Sequence, residues 1–197
     1  MNYHHGDLRA ETLTLVDRIV RKQGPEAVTL RALGAELGVS HGSFRHHFGT
    51  RAGVLSAFAA QGYGWLAEHL DAAQVDGYLE TGVAYVRFAT DHPAHFQVMF
   101  NPDLLDPTDA ELIEQRSRCL ATLVRSAQEV SARARPDMAA AVLAGWSLMH
   151  GLATLHDTGV LDQAHLADLV GESDVIELAR RVGSMLFGSP TPPEGTS

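Results

Sequence analysis

Between Thr29 and Phe48 the chain reads TLRALGAELGVSHGSFRHHF, two short apolar-patterned runs separated by Gly38-Val39-Ser40. Leu30, Leu33 and Leu37 fall at i, i+3 and i+7, which makes one stripe of a helix. Thr29 stands where a helix N-cap belongs, and Gly38 can take the left-handed conformation that ends a helix. Val39 can plug the angle between two helices, and Ser40 is placed to cap the second. At about 100° per residue, Phe44 and Phe48 coincide on that second helix, so both must turn inward. The spacing predicts a helix-turn-helix.

The same period runs through the rest of the chain. A first helix carries Leu8, Thr12, Leu15, Val16 and Ile19 on one face and ends near Gly24-Pro25. A fourth is capped by Thr50 and runs to about Ala73, weakened by Gly62 and Gly64. GYLETGVAYVRFATDH, PAHFQVMF, PTDAELIEQRSRCLATLVRSAQEVSARA, PDMAAAVLAGWSLMHGLATLHD and DVIELARRVGSMLF complete the series. Pro93, Pro102, Pro107 and Pro136 fall at the breaks. No strand alternation or internal repeat is visible. The expected fold is all-α, a three-helix head with a helix-turn-helix followed by a helical bundle. The domains expected are 1–55, 56–188 and a disordered tail over 189–197, GSPTPPEGTS from 188 onward.

Charge divides the chain unevenly. The net charge is -9, yet residues 1–55 hold seven Lys/Arg and five Asp/Glu, while the remainder holds eight and nineteen. Five of the eleven histidines also lie in the first 55 residues. The head can therefore approach a polyanion that the body would repel. A single cysteine, Cys119, cannot form an internal disulfide, which points to a reducing compartment. No run of about 18 apolar residues is present and the N-terminus lacks a signal pattern, so no membrane contact and a cytoplasmic location are expected.

On the second helix of the motif, the face opposite the phenylalanines centres on Gly42 and His46, with Ser43 beside them. His41 and Arg45 flank one side and His47 the other. Gly42 removes bulk where backbone must come close to a surface, as a helix in the major groove requires. Here the run TLRALGAELGVSHGSFRHHFGTR resembles the TetR family of transcriptional repressors. The resemblance implies phosphate contacts from Thr29, His47 and Arg51, base-edge contacts from Arg31 and His41, and a phosphate or base contact from Ser43. Two positions depart from the family pattern. Arg45 replaces a tyrosine, adding a salt-sensitive charge, and Ala52-Gly53 replaces acidic residues, which removes the capping box and should loosen the start of the fourth helix.

YVRFATDHPAHFQVMF and GWSLMHGLATL look like the C-terminal domain named WHG, its letters being Trp146, His150 and Gly151 here, and the opening YHHGDL is similar to arms in that subgroup. The resemblance implies a homodimer that senses a small-molecule effector. Tyr85, Met99, Phe100, Trp146 and His150 are candidates for the effector pocket. Met138, Val142, Met149, Val175, Ile176, Ala179, Val182 and Leu186, striped along the last two long helices, are candidates for the dimer interface. The function expected is sequence-specific binding of a palindromic double-stranded operator by a repressor, released when the effector pushes the fourth helix about Gly62 and Gly64.

Other chemistries find less support. His46 and His47 point about 100° apart and seldom share an ion, and no carboxylate or cysteine lies between Leu37 and Arg51 to complete a metal site. Asp91, His92 and His95 could hold a metal with help from elsewhere, but a capping and packing role beside Pro93 suits them better. No phosphate loop, nucleophile elbow or supported carboxylate pair is present. No cofactor, no metal and no enzyme activity are expected. The alternative is a helical ligand-binding protein or small enzyme with a vestigial helix-turn-helix.

Overall fold

The computed structural model of the chain describes residues 8–134, 137–163, 166, 168, 171 and 174–187. The expected arm and the tail over 189–197 lie outside the described residues. Nine helices, α1 to α9, are followed here: α1 Leu8–Gln23, α2 Leu30–Leu37, α3 His41–Phe48, α4 Arg51–Ala73, α5 Tyr78–Asp91, α6 Pro93–Met99, α7 Ala110–Ala134, α8 Met138–Asp157 and α9 Val175–Phe187. Single 3-10 turns occupy Pro25–Ala27, Gln74–Asp76 and Pro102–Leu104. Among the described residues there is no strand.

By packing, the chain divides into two units, Met1–Ala67 with His92–Cys119 and Glu68–Asp91 with Leu120–Ser197. The segment up to residue 55 lies inside the first unit, which also takes in α6 and the start of α7.

In the first unit α1 packs on α2 and α6, and α2 on α3. Val16, Leu33, Phe44, Leu55 and Phe58 are fully buried there. The sequence explains α2 and its turn. Thr29 Oγ1 accepts from Ala32 N at 3.1 Å, capping α2. Gly38, at φ 65°, donates to Gly34 O and closes the helix in the left-handed region. The turn also fixes Gly34, because a Cβ there would lie 2.9 Å from Val39 O.

The start of α4 is capped by the residue the sequence pointed to. Thr50 Oγ1 accepts from Gly53 N at 3.1 Å. A Cβ on Gly53 would collide with Phe48 O, which explains glycine where an acidic residue was the expectation. Thr50 thus caps α4 without a capping box.

Gly62 is likewise a contact residue. A Cβ there would lie 2.5 Å from Met99 Sδ and 3.1 Å from His95 Cβ, so this glycine lets α6 approach α4. Gly64 meets only Gln115, with Oε1 at 3.3 Å. The idea of a paired glycine pivot is corrected accordingly.

His95 sits at the centre of this contact, 3% exposed. Its ring stacks on Phe58 at 3.8 Å between centroids and bonds through Nε2 to Gln61 Oε1 at 3.1 Å. Nδ1 is 3.8 Å from Asp17 Oδ1. Burial, which the Asp17 charge only partly offsets, lowers its pKa from 6.5 to about 4. Packing, one of the two roles weighed for this residue, is what its surroundings display.

In the second unit α5, α8 and α9 pack mutually. Gly82 and Gly183 make room for Met149, and Gly145 for the Tyr78 ring. Asp137 caps α8 by accepting from Ala139 N at 3.0 Å and Ala140 N at 3.3 Å. α8 also corrects an expectation. At 20 residues and a mean hydropathy of 1.4 over its most apolar stretch, it is long and apolar enough to cross a membrane by length and composition. Its interspersed small residues break an apolar run without lowering the average. Its inward face packs on α5 and α9.

Two measurements test these contacts. Gly62→Ala should cost about 1–3 kcal/mol through overpacking, while Gly64→Ala should be near neutral, its steric cost offset by helix propensity of up to about 1 kcal/mol. Equal denaturation midpoints would contradict the packing role of Gly62. The unfolded chain protonates His95 near pH 6.5 and the folded chain only near pH 4. Stability should therefore fall as pH drops through that window, by a total on the order of 3 kcal/mol. His95→Gln, which does not titrate, should flatten the profile there; an unaltered slope would contradict the assignment.

Candidate nucleic-acid interface and effector cavity

The motif residues divide by what surrounds them. Phe44 is fully buried, and Phe48, half-buried, stacks beside it at 6.0 Å. The phenylalanine face therefore turns inward, and Gly42, Arg45 and His47 are exposed. The backbone of His41, Ser43 and His46 belongs to α3, but their side chains lie outside the described residues. Thr29 and Arg31, at the start of α2, are exposed.

The arginines of α1 to α4 form two groups. Arg9 pairs with Glu111 at 2.5 Å, Arg18 with Glu36 at 2.6 Å and Arg21 with Asp17 at 2.8 Å. Arg31 and Arg45 make no ion pair among the described residues. The arginines of α1 are thus held by acidic neighbours, and the two arginines of the motif itself are not, among the described residues.

Arg51 differs from its expected role. Nε donates to Val28 O and one terminal nitrogen to Pro25 O, both at 2.8 Å, and Glu26 pairs with it at 3.2 Å. A guanidinium offers donors in fixed directions, and here they anchor the α1–α2 connection. The phosphate contact inferred by resemblance gives way to this structural role.

In the second unit a cavity lies between α5, α7 and α8. Tyr78, Thr81, Gly82 and Tyr85 line it from α5. Gly145, Trp146 and Met149 come from α8, and Leu123 from α7. The space measures about 340 Å³ only when the open solvent at its mouth is included, and its enclosed part has room for about one water molecule. Tyr85 Oη lies 2.8 Å from His150 Nδ1 and accepts from Trp146 Nε1 at 3.3 Å. Tyr78 Oη donates to Ala141 O at 3.0 Å and Thr81 Oγ1 to Gly77 O at 3.1 Å. Burial lowers the His150 pKa and raises that of Tyr78, so both side chains are neutral near pH 7.

Three of the five expected pocket residues, Tyr85, Trp146 and His150, thus come together. Met99 and Phe100 do not join them. Met99 is buried in the first unit and Phe100 stacks edge-on to Tyr63 at 5.8 Å. Both are apolar residues near a helix end, and periodicity sends them inward without saying into which core. Tyr78, Thr81, Gly82, Leu123 and Gly145 were missed, although 78, 81, 82 and 85 share one helical stripe that would have pointed to the first three.

Several candidates for the dimer interface also face inward. Val142, Met149 and Ala179 are buried within the second unit, Met149 in the cavity wall. Their stripe is the one α8 and α9 turn toward α5. Met138, Val175, Ile176 and Val182 are half-buried, and Leu186 is exposed. The outward apolar residues include Leu143, Leu155 and Met185, the last 86% exposed.

Groups of three or more side chains able to hold a metal are absent among the described residues. Comparison with known proteins converges on one family. Residues 17–63 match the model for bacterial regulatory proteins of the tetR family, and residues 79–170 the tetracyclin repressor-like C-terminal domain. No curated protein matches by sequence. A protein of unknown function from Rhodococcus sp. RHA1 has 26% identity over 96% of this chain and 100% of its own, with a TM-score of 0.74. A tetR-family regulatory protein from Rhodococcus RHA1 has 22% identity over 94% and 99%, with a TM-score of 0.69. PfmR, a TetR family transcriptional regulator from Thermus thermophilus, has 19% identity over 89% and 96%, with a TM-score of 0.60. These last two likenesses speak to the fold. Taken with the two matched segments and the helix-turn-helix between Thr29 and Phe48, they show that this chain belongs to the TetR family of transcriptional regulators.

Proposed function

We propose that the chain is a cytoplasmic, sequence-specific repressor that binds a palindromic DNA operator as a homodimer and is released by a small-molecule effector. The observation that carries the DNA-reading face is the contrast among arginines: Arg9, Arg18, Arg21 and Arg51 are ion-paired, whereas Arg31 at the start of α2 and Arg45 on α3, the helix of Gly42 and His47, are exposed with no ion pair among the described residues. Unneutralised arginines at the rim of a helix with an open glycine fit a phosphate backbone and base edges at once. Thr29, His41, Ser43 and His46 complete the proposed contact set. Arg51 supports it from behind by fixing the loop that leads into α2.

One short reading helix spans too few bases for specificity, so two copies are required. The outward apolar residues Leu143 and Leu155 of α8 and Met185 and Leu186 of α9 suit a partner surface. Between them Ala140, Ala144, Ser147 and Thr154 form a stripe of small exposed side chains, which lets two helices approach closely. The effector belongs in the cavity beside Tyr85, Trp146 and His150. No catalytic step is assigned to any residue.

A salt-titrated binding assay on duplex DNA tests this reading. Affinity should fall steeply with salt, and operator DNA from upstream of the protein's own gene should outcompete random duplex. Arg45→Ala should reduce the salt slope by about one unit. Arg51→Ala should leave the slope unchanged while lowering thermal stability. Salt-independent binding, or equal competition by any duplex, would contradict the proposal.

A further inference from the structure

The contact between α1 and α6 is centred on an imidazole that has no place for a charge. His95 is buried, and its Nδ1 has no hydrogen-bond partner among the described residues. From α4 it meets Phe58, Gln61 and Trp65, none of which titrates; the Trp65 ring lies 4.8 Å away between centroids. From α1 it faces Asp17 and Arg21, and from the residue leading into α6 it faces His92, whose ring centroid is 6.0 Å away.

Among the described residues, Asp17 is the one anion in this group. Its charge is already compensated, because Oδ2 accepts from Arg21 Nε at 2.8 Å while Oδ1 stands 3.8 Å from His95 Nδ1. A proton taken up by His95 would therefore add a net positive charge to a site closed to water, with Arg21 and His92 both opposing it. Whichever ring nitrogen carries the single proton of the neutral form, the second proton creates the same buried cation.

The helix that carries His95 is poorly secured by local interactions. α6 has seven residues, and His92 at its N-cap makes no capping bond through its side chain. It persists through burial of Ala94, His95, Phe96, Val98 and Met99. A helix held in this way can open at a lower free energy than the whole fold.

We propose that the α1–α6 contact is an acid-released latch: proton uptake by His95 favours a state in which α6 has parted from α1 and α4 while α1, α2 and α3 stay folded together. In the closed state the His95 pKa is about 4, and in water it returns to about 6.5. The open state therefore binds the proton more readily, and its population relative to the closed state should rise about tenfold between pH 7.5 and 5.5.

Native-state hydrogen exchange of the full chain without DNA, corrected for the intrinsic effect of pH, tests the latch. The amides of Phe96, Val98 and Met99 should lose about tenfold in protection between pH 7.5 and 5.5. They should exchange faster than those of Leu33 in α2 and Leu152 in α8, through an opening that low denaturant hardly changes. His95→Gln, which does not titrate, should abolish the tenfold loss. Arg21→Gln, an exposed change that frees the Asp17 charge, should raise the His95 pKa measured by NMR, and Asp17→Asn should lower it. The inference is overturned if α6 shares the protection and denaturant dependence of α2 and α8, because the opening is then global. It is also overturned if α6 protection is independent of pH, if the loss survives in His95→Gln, or if the His95 pKa is unmoved in Arg21→Gln.

Discussion

Burial of Phe44 against α2 is the contact on which the head depends. An eight-residue helix is too short to persist by itself, because nucleating a helix costs more than two turns return. α3 is held by its tertiary anchor, with Phe44 fully buried and Phe48 stacked against it. That anchor also fixes rotation about the helix axis. Once the phenylalanines face inward, Gly42, Arg45 and His47 must face outward. Gly38 then sets where α3 leaves α2, through a left-handed closure and the tight approach of Val39 O to Gly34. One buried ring and one permissive backbone position thus determine which side chains can be presented to a polyanion.

Close approach of helices at glycine recurs away from the head. Gly62 admits His95 and Met99, Gly145 admits Tyr78, and Gly82 and Gly183 admit Met149. These positions weaken helix propensity locally, and tertiary packing offsets the loss. The same arrangement brings Tyr78 and Tyr85 beside Trp146 and leaves the cavity between them. Tyr78 and Thr81 donate to neighbouring backbone carbonyls, Tyr85 bonds to His150, and no wall residue is charged.

Much of this was legible in the sequence because it depends on local rules. The helix-turn-helix follows from Thr29, Gly38 and the phenylalanine pair, and α4 ends at Ala73 where its period ends. What was not legible depends on distant partners. Arg51 looks like a phosphate ligand until Pro25 O and Val28 O appear beside it, 26 and 23 residues earlier in the chain. Periodicity marks Val142, Met149 and Ala179 as apolar stripes, but an inward stripe and a partner-facing stripe have the same period. Only packing on α5 separates them from Leu143 and Met185. Gly62 read as a point of weakness because the Met99 and His95 side chains that fill its space come from another helix.

The central claim is that two copies of the α2–α3 head read one two-fold symmetric site on DNA. Nuclease protection of DNA upstream of the protein's own gene tests it most directly. The account requires two protected half-sites related by a dyad, with centres one helical turn apart, roughly 34–36 Å, or a multiple of it. Protection confined to a single half-site, or spread evenly along the duplex without a dyad, would contradict it.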